Sequence, residues 1–248
     1  MKKLWIGIGT CALGTLAGTL VVAQDRDAGG AQPIRRNYEV PAFDRVVLAG
    51  PHHVVIAVGP AQTIRAEGPK DSLDQTEVVV EHGQLRIEPK DHDRRGKWQY
   101  APATYHITVP RLTDTTLAGS GDIRVDRVDG ERFGATLAGS GTIDVHALRV
   151  DQARLTMAGS GILSARGSAN HSNVTIAGAG HIRAQDVVST TAAVSLVGAG
   201  DAALTVQREA NVSVIGSGDV RIAGPAHCSI SRMGSGNVNC SGAGARKS

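Results

Sequence analysis

The chain has 248 residues, of which 31 are glycine and only 3% are aromatic. That composition excludes a core built around large rings and calls for many small and β-branched side chains in a narrow, regular interior. Of 26 basic and 23 acidic residues, Lys2 and Lys3 belong to an N-terminal leader, so the remaining chain is nearly neutral and carries no electrostatic footprint for nucleic acid.

Residues 1–23 read as a secretory signal. Lys2 and Lys3 supply positive charge, residues 4–22 are apolar and uncharged, and Val21, Val22 and Ala23 form a small-residue cleavage site, so the mature chain is expected to start at Gln24. The competing reading is an uncleaved anchor, since this run nearly spans a bilayer; the glycines and threonines within it argue against that. No later segment is apolar enough to span a membrane. Residues 24–37 are expected to be a linker and residues 38–242 a single domain.

Within that domain, residues 38–112 read as irregular N-terminal coils that cap the regular repeat. Residues 46–50 and 54–56 are strand-like, as are 63–66, 77–80, 85–88 and 104–109, with His82-Gly83 as a hairpin tip. Residues 89–102 form a polar loop. Lys90, Arg94, Arg95 and Lys97 with Trp98 and Tyr100 make the chain's one basic-aromatic cluster, suited to an anionic polymer or lipid headgroup or simply to a solvated loop.

From residue 113 the chain repeats itself. Gly-Ser/Ala-Gly occurs seven times, beginning at Gly119, Gly139, Gly159, Gly178, Gly198, Gly216 and Gly234, in steps of 20, 20, 19, 20, 18 and 18 residues. The flanks repeat too. Four residues before each first glycine stand Thr115, Ala135, Leu155, Val174, Val194, Val212 and Ile230; two before it stand Leu117, Leu137, Met157, Ile176, Leu196, Val214 and Arg232. Four and six residues after it the chain is again almost always aliphatic, from Ile123 and Val125 to Val238 and Cys240. These positions share one parity, hence one face of extended chain, and the period of two indicates strand rather than helix. The glycines fall on the inward parity, where a tight corner needs positive φ or leaves no room for a side chain.

A period of 18–20 residues predicts an all-β parallel β-helix, a β-solenoid whose equivalent residues stack ~4.8 Å apart. The usual hand of parallel connections favours a right-handed coil, and the 20-residue steps do not fit the arithmetic of left-handed hexapeptide solenoids. Counting the echo at residues 46–50, eight coils are expected. Residues 243–248 read as a disordered tail.

The segments Phe43-Asp44-Arg45-Val46-Val47-Leu48-Ala49-Gly50, Gly83-Gln84-Leu85-Arg86-Ile87 and Tyr105-His106-Ile107-Thr108-Val109-Pro110-Arg111-Leu112, with repeated Leu-Ala-Gly-Ser-Gly after them, resemble the DUF2807 family, the auto-transporter adhesin head GIN domain. The resemblance covers about residues 38–242. It implies bacterial export and a β-helical fold, and it carries no catalytic residues to transfer.

Several groups are candidates for chemistry. After each Gly-x-Gly stand Asp122, Thr142, Ile162, His181, Asp201, Asp219 and Asn237. Asp201 and Asp219 should stack, and two carboxylates ~5 Å apart are a weak calcium site, because calcium takes more oxygens than they offer and aspartate also suits a turn. Asp122, Arg124, Asp144, Arg183, Asp201 and Arg221 could imitate the carboxylate and basic clusters of polysaccharide-cleaving β-helices; simple charge pairing, such as Arg124 over Asp144, competes with that reading. His52-His53 is a poor metal pair, since neighbours in a strand face opposite ways. Cys228 and Cys240 could be bridged or be two packed thiols.

The outward ladder Thr116, Thr136, Thr156, Thr175, Ser195, Ser213 and Ser231, flanked by Ala118, Ala138, Ala158 and Ala177, makes a flat face suited to packing against another surface or a second copy side by side; the β-propensity of threonine accounts for it equally. The expected function is an exported structural, adhesive or ligand-presenting solenoid in the periplasm, on the envelope or outside the cell. It has no cofactor, and its partner is an envelope protein or polymer. The rival is an envelope enzyme acting on polysaccharide.

Overall fold

Short β-branched and aliphatic segments punctuated by glycine produce a chain that is 74% strand and 2% helix, wound as a β-solenoid of about six turns. The computed structural model describes residues 33–90, 101–242 and 246–247, all within one compact unit, Ala31–Ser248. In chain order the elements are β1 (Ile34–Tyr38), β2 (Arg45–Ala49), β3 (His53–Val58), β4 (Thr63–Gly68), α1 (Lys70–Asp74), β5 (Thr76–Glu81), β6 (Gln84–Pro89), β7 (Thr104–Val109) and β8 (Asp114–Gly119). Then come the coils β9 (Asp122–Gly139), β10 (Thr142–Gly159), β11 (Ile162–Gly178), β12 (His181–Gly198) and β13 (Asp201–Gly216), and last β14 (Asp219–Ala223), β15 (His227–Met233), β16 (Val238–Cys240) and β17 (Arg246–Lys247).

Each coil pairs with the next in parallel register, Thr136 with Thr156, Leu137 with Met157 and Gly139 with Gly159. The alternation of buried residues breaks twice within β9, around 126–127 and 129–132, so each turn has three sides. Side one carries Ile123 and Val125, side two Val128, and side three Phe133, Ala135 and Leu137, all buried. Apart from Arg232, the expected inward ladders lie inside, and two more join them. Val128, Leu148 and Val187 line side two, and Phe133, Ala153, Ser172, Ala192, Ala210 and Cys228 open side three. Within this apolar stack the Ser172 and Ser189 hydroxyls bond each other at 2.6 Å, which satisfies both polar groups.

The corner between turns explains both glycines of the repeat. Gly159 has φ +138°, and a Cβ there would lie 2.2 Å from the carbonyl oxygen of Gly139 on the turn below. Gly161 needs only space: its Cβ would lie 2.3 Å from the Gly141 oxygen. The backbones approach this closely because Ser160 N–H donates to Gly139 O (2.9 Å) and Ile162 N–H to Gly141 O (3.1 Å).

Gly50 stacks on Gly119 in the same way, but 69 residues rather than one turn separate them, so the complete turns number about six and not eight. Next to this rung, β2 lies between β6 and β8 and β3 between β7 and β9, all parallel. The stack then ends in antiparallel strands: β5 on β6, β4 on β7 and β1 on β4. A change of direction closes an edge that further parallel coils could otherwise extend. β1 begins inside the segment expected to be a linker, and β17 pairs with Ser229 and Ile230 inside the segment expected to be a disordered tail. The five-residue helix α1 had no sequence signal.

At the far end, Cys228 and Cys240 are joined by a disulfide across the inside of the last coil, from side three to side one. Arg232, in register with inward Val214, turns out to solvent and donates to Gly236 O at 3.0 Å, capping a corner carbonyl.

The corner contact predicts a sharp contrast between neighbours. Gly159→Ala should cost at least ~2 kcal/mol, from a disfavoured φ plus a backbone clash, whereas Ser160→Ala should stay within ~0.5 kcal/mol. Urea unfolding of both variants checks this, and equal midpoints would contradict a corner held by backbone contact.

Candidate functional site

The seven residues of the Thr/Ser ladder occupy one outward column of side three, paired rung by rung from Thr116 and Thr136 to Ser213 and Ser231. Thr175, Ser195, Ser213 and Ser231 are exposed, and Thr116, Thr136 and Thr156 half-buried. No other described residue engages their hydroxyls. Beside this column runs a second one, Asn173, Ala193, Asn211 and Ser229, at positions of the same parity whose mixed chemistry hides them in the sequence. Between the two columns lies an open groove of about 440 Å³ floored by Val174, Val194 and Val212. Its rim offers hydroxyls and amides and no charge, so it can donate to and accept from a polar, hydroxylated partner without desolvating an ion.

The other flank changes along the rod. Ala118, Ala138, Ala158 and Ala177 give way on successive rungs to Val197, Ile215 and Met233, which are 50%, 48% and 71% exposed. The face is therefore flat and small-chained at one end and apolar-rimmed at the other. The sequence does carry this signal, in the residue just before each first glycine, but the four regular alanines mask it.

On side one, His53 joins the column that continues through Asp122 to Asn237, because Pro51-His52 stands where later corners have Ser-Gly or Ala-Gly. Asp201 and Asp219 are register partners, as expected. Their carboxylates are used by the fold: Asp219 N–H donates to Asp201 Oδ1 (3.3 Å), Asn237 N–H to Asp219 Oδ1 (3.1 Å), and Asp201 Oδ2 pairs with His181 Nδ1 at 3.0 Å. The same His-Asp contact recurs at His53 and Asp122, at 2.9 Å. Among the described residues no group of three or more His, Cys, Asp or Glu gathers as a metal site.

The cluster suspected of enzyme chemistry is spread along an exposed side. Arg124 is in register with Asp144, yet Asp144 pairs with His146 at 3.1 Å and Arg166 at 3.8 Å rather than with Arg124, and Arg221 reaches its own neighbour Asp219 at 3.9 Å. Arg94, Arg95, Lys97, Trp98 and Tyr100 lie outside the described residues.

His52 is the buried half of the histidine pair. Strand alternation puts His53 outside and His52 inside, fully enclosed at the second-glycine position of the first corner. Ala103 N–H donates to His52 Nδ1 (3.2 Å), which places the proton on Nε2; that N–H donates to Thr76 Oγ1 (3.0 Å), and Thr76 in turn donates to Ser72 O (2.8 Å). The Tyr105 ring packs edge-on at 5.5 Å, and burial pushes the Tyr105 hydroxyl up. The ring of His52 is thus held neutral in one tautomer. Burial, with the neighbouring His53 as a second cause, pushes it from 6.5 down to about 4. No helix among the described residues is long and apolar enough to cross a membrane.

Known proteins share this architecture. The family model DUF2807, "Putative auto-transporter adhesin, head GIN domain", matches residues 42–226. A "putative adhesin" from Bacteroides fragilis NCTC 9343 superposes with TM-score 0.78 at 20% identity, covering 84% of this chain and 96% of that one. A "putative lipid binding protein" from Parabacteroides distasonis ATCC 8503 gives TM-score 0.67 at 19% identity over 84% and 96%, and a "putative adhesin" from the same strain 0.67 at 17% over 85% and 97%. At these identities the likeness is one of fold. No curated protein matches the chain.

The buried imidazole makes stability depend on pH. The unfolded chain takes up a proton near 6.5 and the folded one only near 4, so the contribution of His52 is complete above pH 6.5 and is lost as pH falls towards 4, by roughly 3 kcal/mol. Denaturant titrations at pH 7, 5.5 and 4 should show this slope in the wild type and a flatter one in His52→Gln. Parallel slopes would mean that His52 takes up its proton as readily in the fold as in the unfolded chain.

Proposed function

Because the chain belongs to the DUF2807 family, "Putative auto-transporter adhesin, head GIN domain", we propose that it is an exported, non-enzymatic solenoid that binds a polar polymer or protein of the cell envelope through side three. The observation that carries this reading is the uncharged groove of about 440 Å³, whose ladder hydroxyls no other described residue uses. The adhesin names of the family and of two structural relatives support it. The lipid-binding name of another relative matches only the exposed Val197, Ile215 and Met233 beside the groove, whereas the groove's own polar lining of Ser, Thr and Asn suits a hydroxylated partner.

Export is supported by the signal-like residues 1–23 and by the Cys228–Cys240 disulfide, which persists in an oxidising compartment. The non-enzymatic reading is supported by Asp201 and Asp219, whose carboxylates accept backbone amides of the next rung and so are committed to holding the stack. Side-by-side association of two copies would use the flat Thr136 and Thr156 end, where flanking alanines permit close approach.

The test uses the purified mature chain on isolated envelope fractions. Ser195→Arg places a long charged side chain in the groove and should reduce retention at least about tenfold while the melting temperature moves by no more than ~2 °C. Lysine at both Thr136 and Thr156 should convert any dimer seen by light scattering to monomer. Undiminished retention in Ser195→Arg would end the groove's role as the binding surface.

A further inference from the structure

A second cleft lies on the same side, towards the N-terminal cap. It has a volume of about 550 Å³ and is lined by Arg45, Arg111, Arg132 and Arg154 with Asp44 and Asp114. These residues come from β2, the approach to β8, β8 itself, β9 and β10, so the stacking of coils on the cap assembles the cleft. Asp44 is 3.7 Å from Arg45 and 3.8 Å from Arg111, too long for good hydrogen bonds. Arg132 and Arg154 make neither a hydrogen bond nor a close ion pair with any described residue. The lining thus keeps an excess of two positive charges in a chain that is otherwise nearly balanced.

The polar residues between the arginines are arranged about a gap. Gly134 pairs with Asp114 on one rung and Arg154 on the next. A Cβ on Gly134 would lie 2.3 Å from Asp114 Oδ1, so the missing side chain is what lets the Asp114 carboxyl lie against the sheet. Burial pushes that carboxyl up from its ordinary value. Gln152 stands beside Arg132, and Asn173 beside Arg154. Asn173 also lines the uncharged groove, so cleft and groove meet at this residue on side three.

We propose that this cleft binds the carboxylate-bearing sugar units of an acidic polysaccharide, with the chain of the polymer continuing into the hydroxyl-lined groove. The inference rests on the reading of side three as the binding surface and names its ligand class. Guanidinium groups match a planar carboxylate in two parallel hydrogen bonds. Asp114, Gln152 and Asn173 are acceptors and donors for ring hydroxyls. The two aspartates set the choice among anions: a unit with one negative charge and several hydroxyls satisfies the whole lining, whereas a phosphate of higher charge meets Asp44 and Asp114 as repulsion. The uncharged groove beyond accepts the hydroxyl edges of further units.

The experiment is calorimetric titration of the mature chain with polygalacturonate oligomers, with polyphosphate and dextran as comparison probes, at low and high salt. Polygalacturonate should bind, more weakly as salt rises; dextran should not bind measurably, and polyphosphate should bind less tightly. Arg132→Ala and Arg154→Ala should each raise Kd at least about tenfold without shifting the melting temperature, and Arg154→Lys should restore only part of the loss. Polygalacturonate affinity unchanged in both alanine variants, or tighter binding of polyphosphate, overturns the inference. So does failure of the wild type to bind polygalacturonate. That last failure is distinguishable from failure of the groove reading, which is judged on envelope retention by Ser195→Arg.

Discussion

A backbone-to-backbone contact governs this molecule. At each corner from Gly139 onward the first glycine of the repeat sits over the carbonyl of the glycine one turn earlier, so close that a Cβ would fall 2.2 Å from it at Gly159. The contact fixes where one turn ends relative to the last, and with it which residue of each turn stands over which. Leu137 meets Met157 inside, and Thr136 meets Thr156 outside. Because side chains alternate along a strand, a slip of one residue would exchange those two columns and put hydroxyls in the core. The turn length can vary between 18 and 20 residues because the difference is taken up at the other two corners, as the register shifts between β12 and β13 show.

The two ends solve different problems. An open solenoid end is a sheet edge that invites another chain to pair with it. The N-terminal end answers with antiparallel strands and a buried polar chain through His52, Thr76 and Ser72, which makes that end sensitive to acid. The C-terminal end answers with an inward position turned outward at Arg232 and a disulfide spanning the last coil. Between the ends the fold has few options for its outer surface. Three flat sides are imposed by the stack, and binding must be written into columns of outward residues. Side three is where hydroxyls, an apolar rim and the arginine cleft are all found.

Most of the regular region was legible in the sequence, since glycines at fixed steps and aliphatic residues of one parity are a one-dimensional image of the stack. Side two was not legible. Val128, Leu148 and Val187 lie beyond a corner where the parity resets, and the corner itself has no glycine signature. The antiparallel closure was visible only as strands of unknown pairing. Strand alternation does separate His52 from His53, but its consequence is a buried neutral imidazole rather than the mere absence of a metal site. The pairing of Arg124 with Asp144 was inferred from register alone, and register does not fix where a long side chain goes; His146 and Arg166 reach Asp144 instead. The arginine cleft was hidden for a similar reason, because Arg45 and Arg111 belong to the irregular cap and meet Arg132 and Arg154 only through stacking.

The central claim, that the corners hold the turns in a one-rung register from end to end, is tested most directly by distance measurement between spin labels in the outward ladder. Labels at Thr116 and Ser213 are five rungs apart and those at Thr116 and Ser231 six, so electron–electron resonance should give separations of roughly 24 Å and 29 Å, differing by one ~4.8 Å step. Equal separations for the two pairs, or a broad distribution without the step, would contradict the stack.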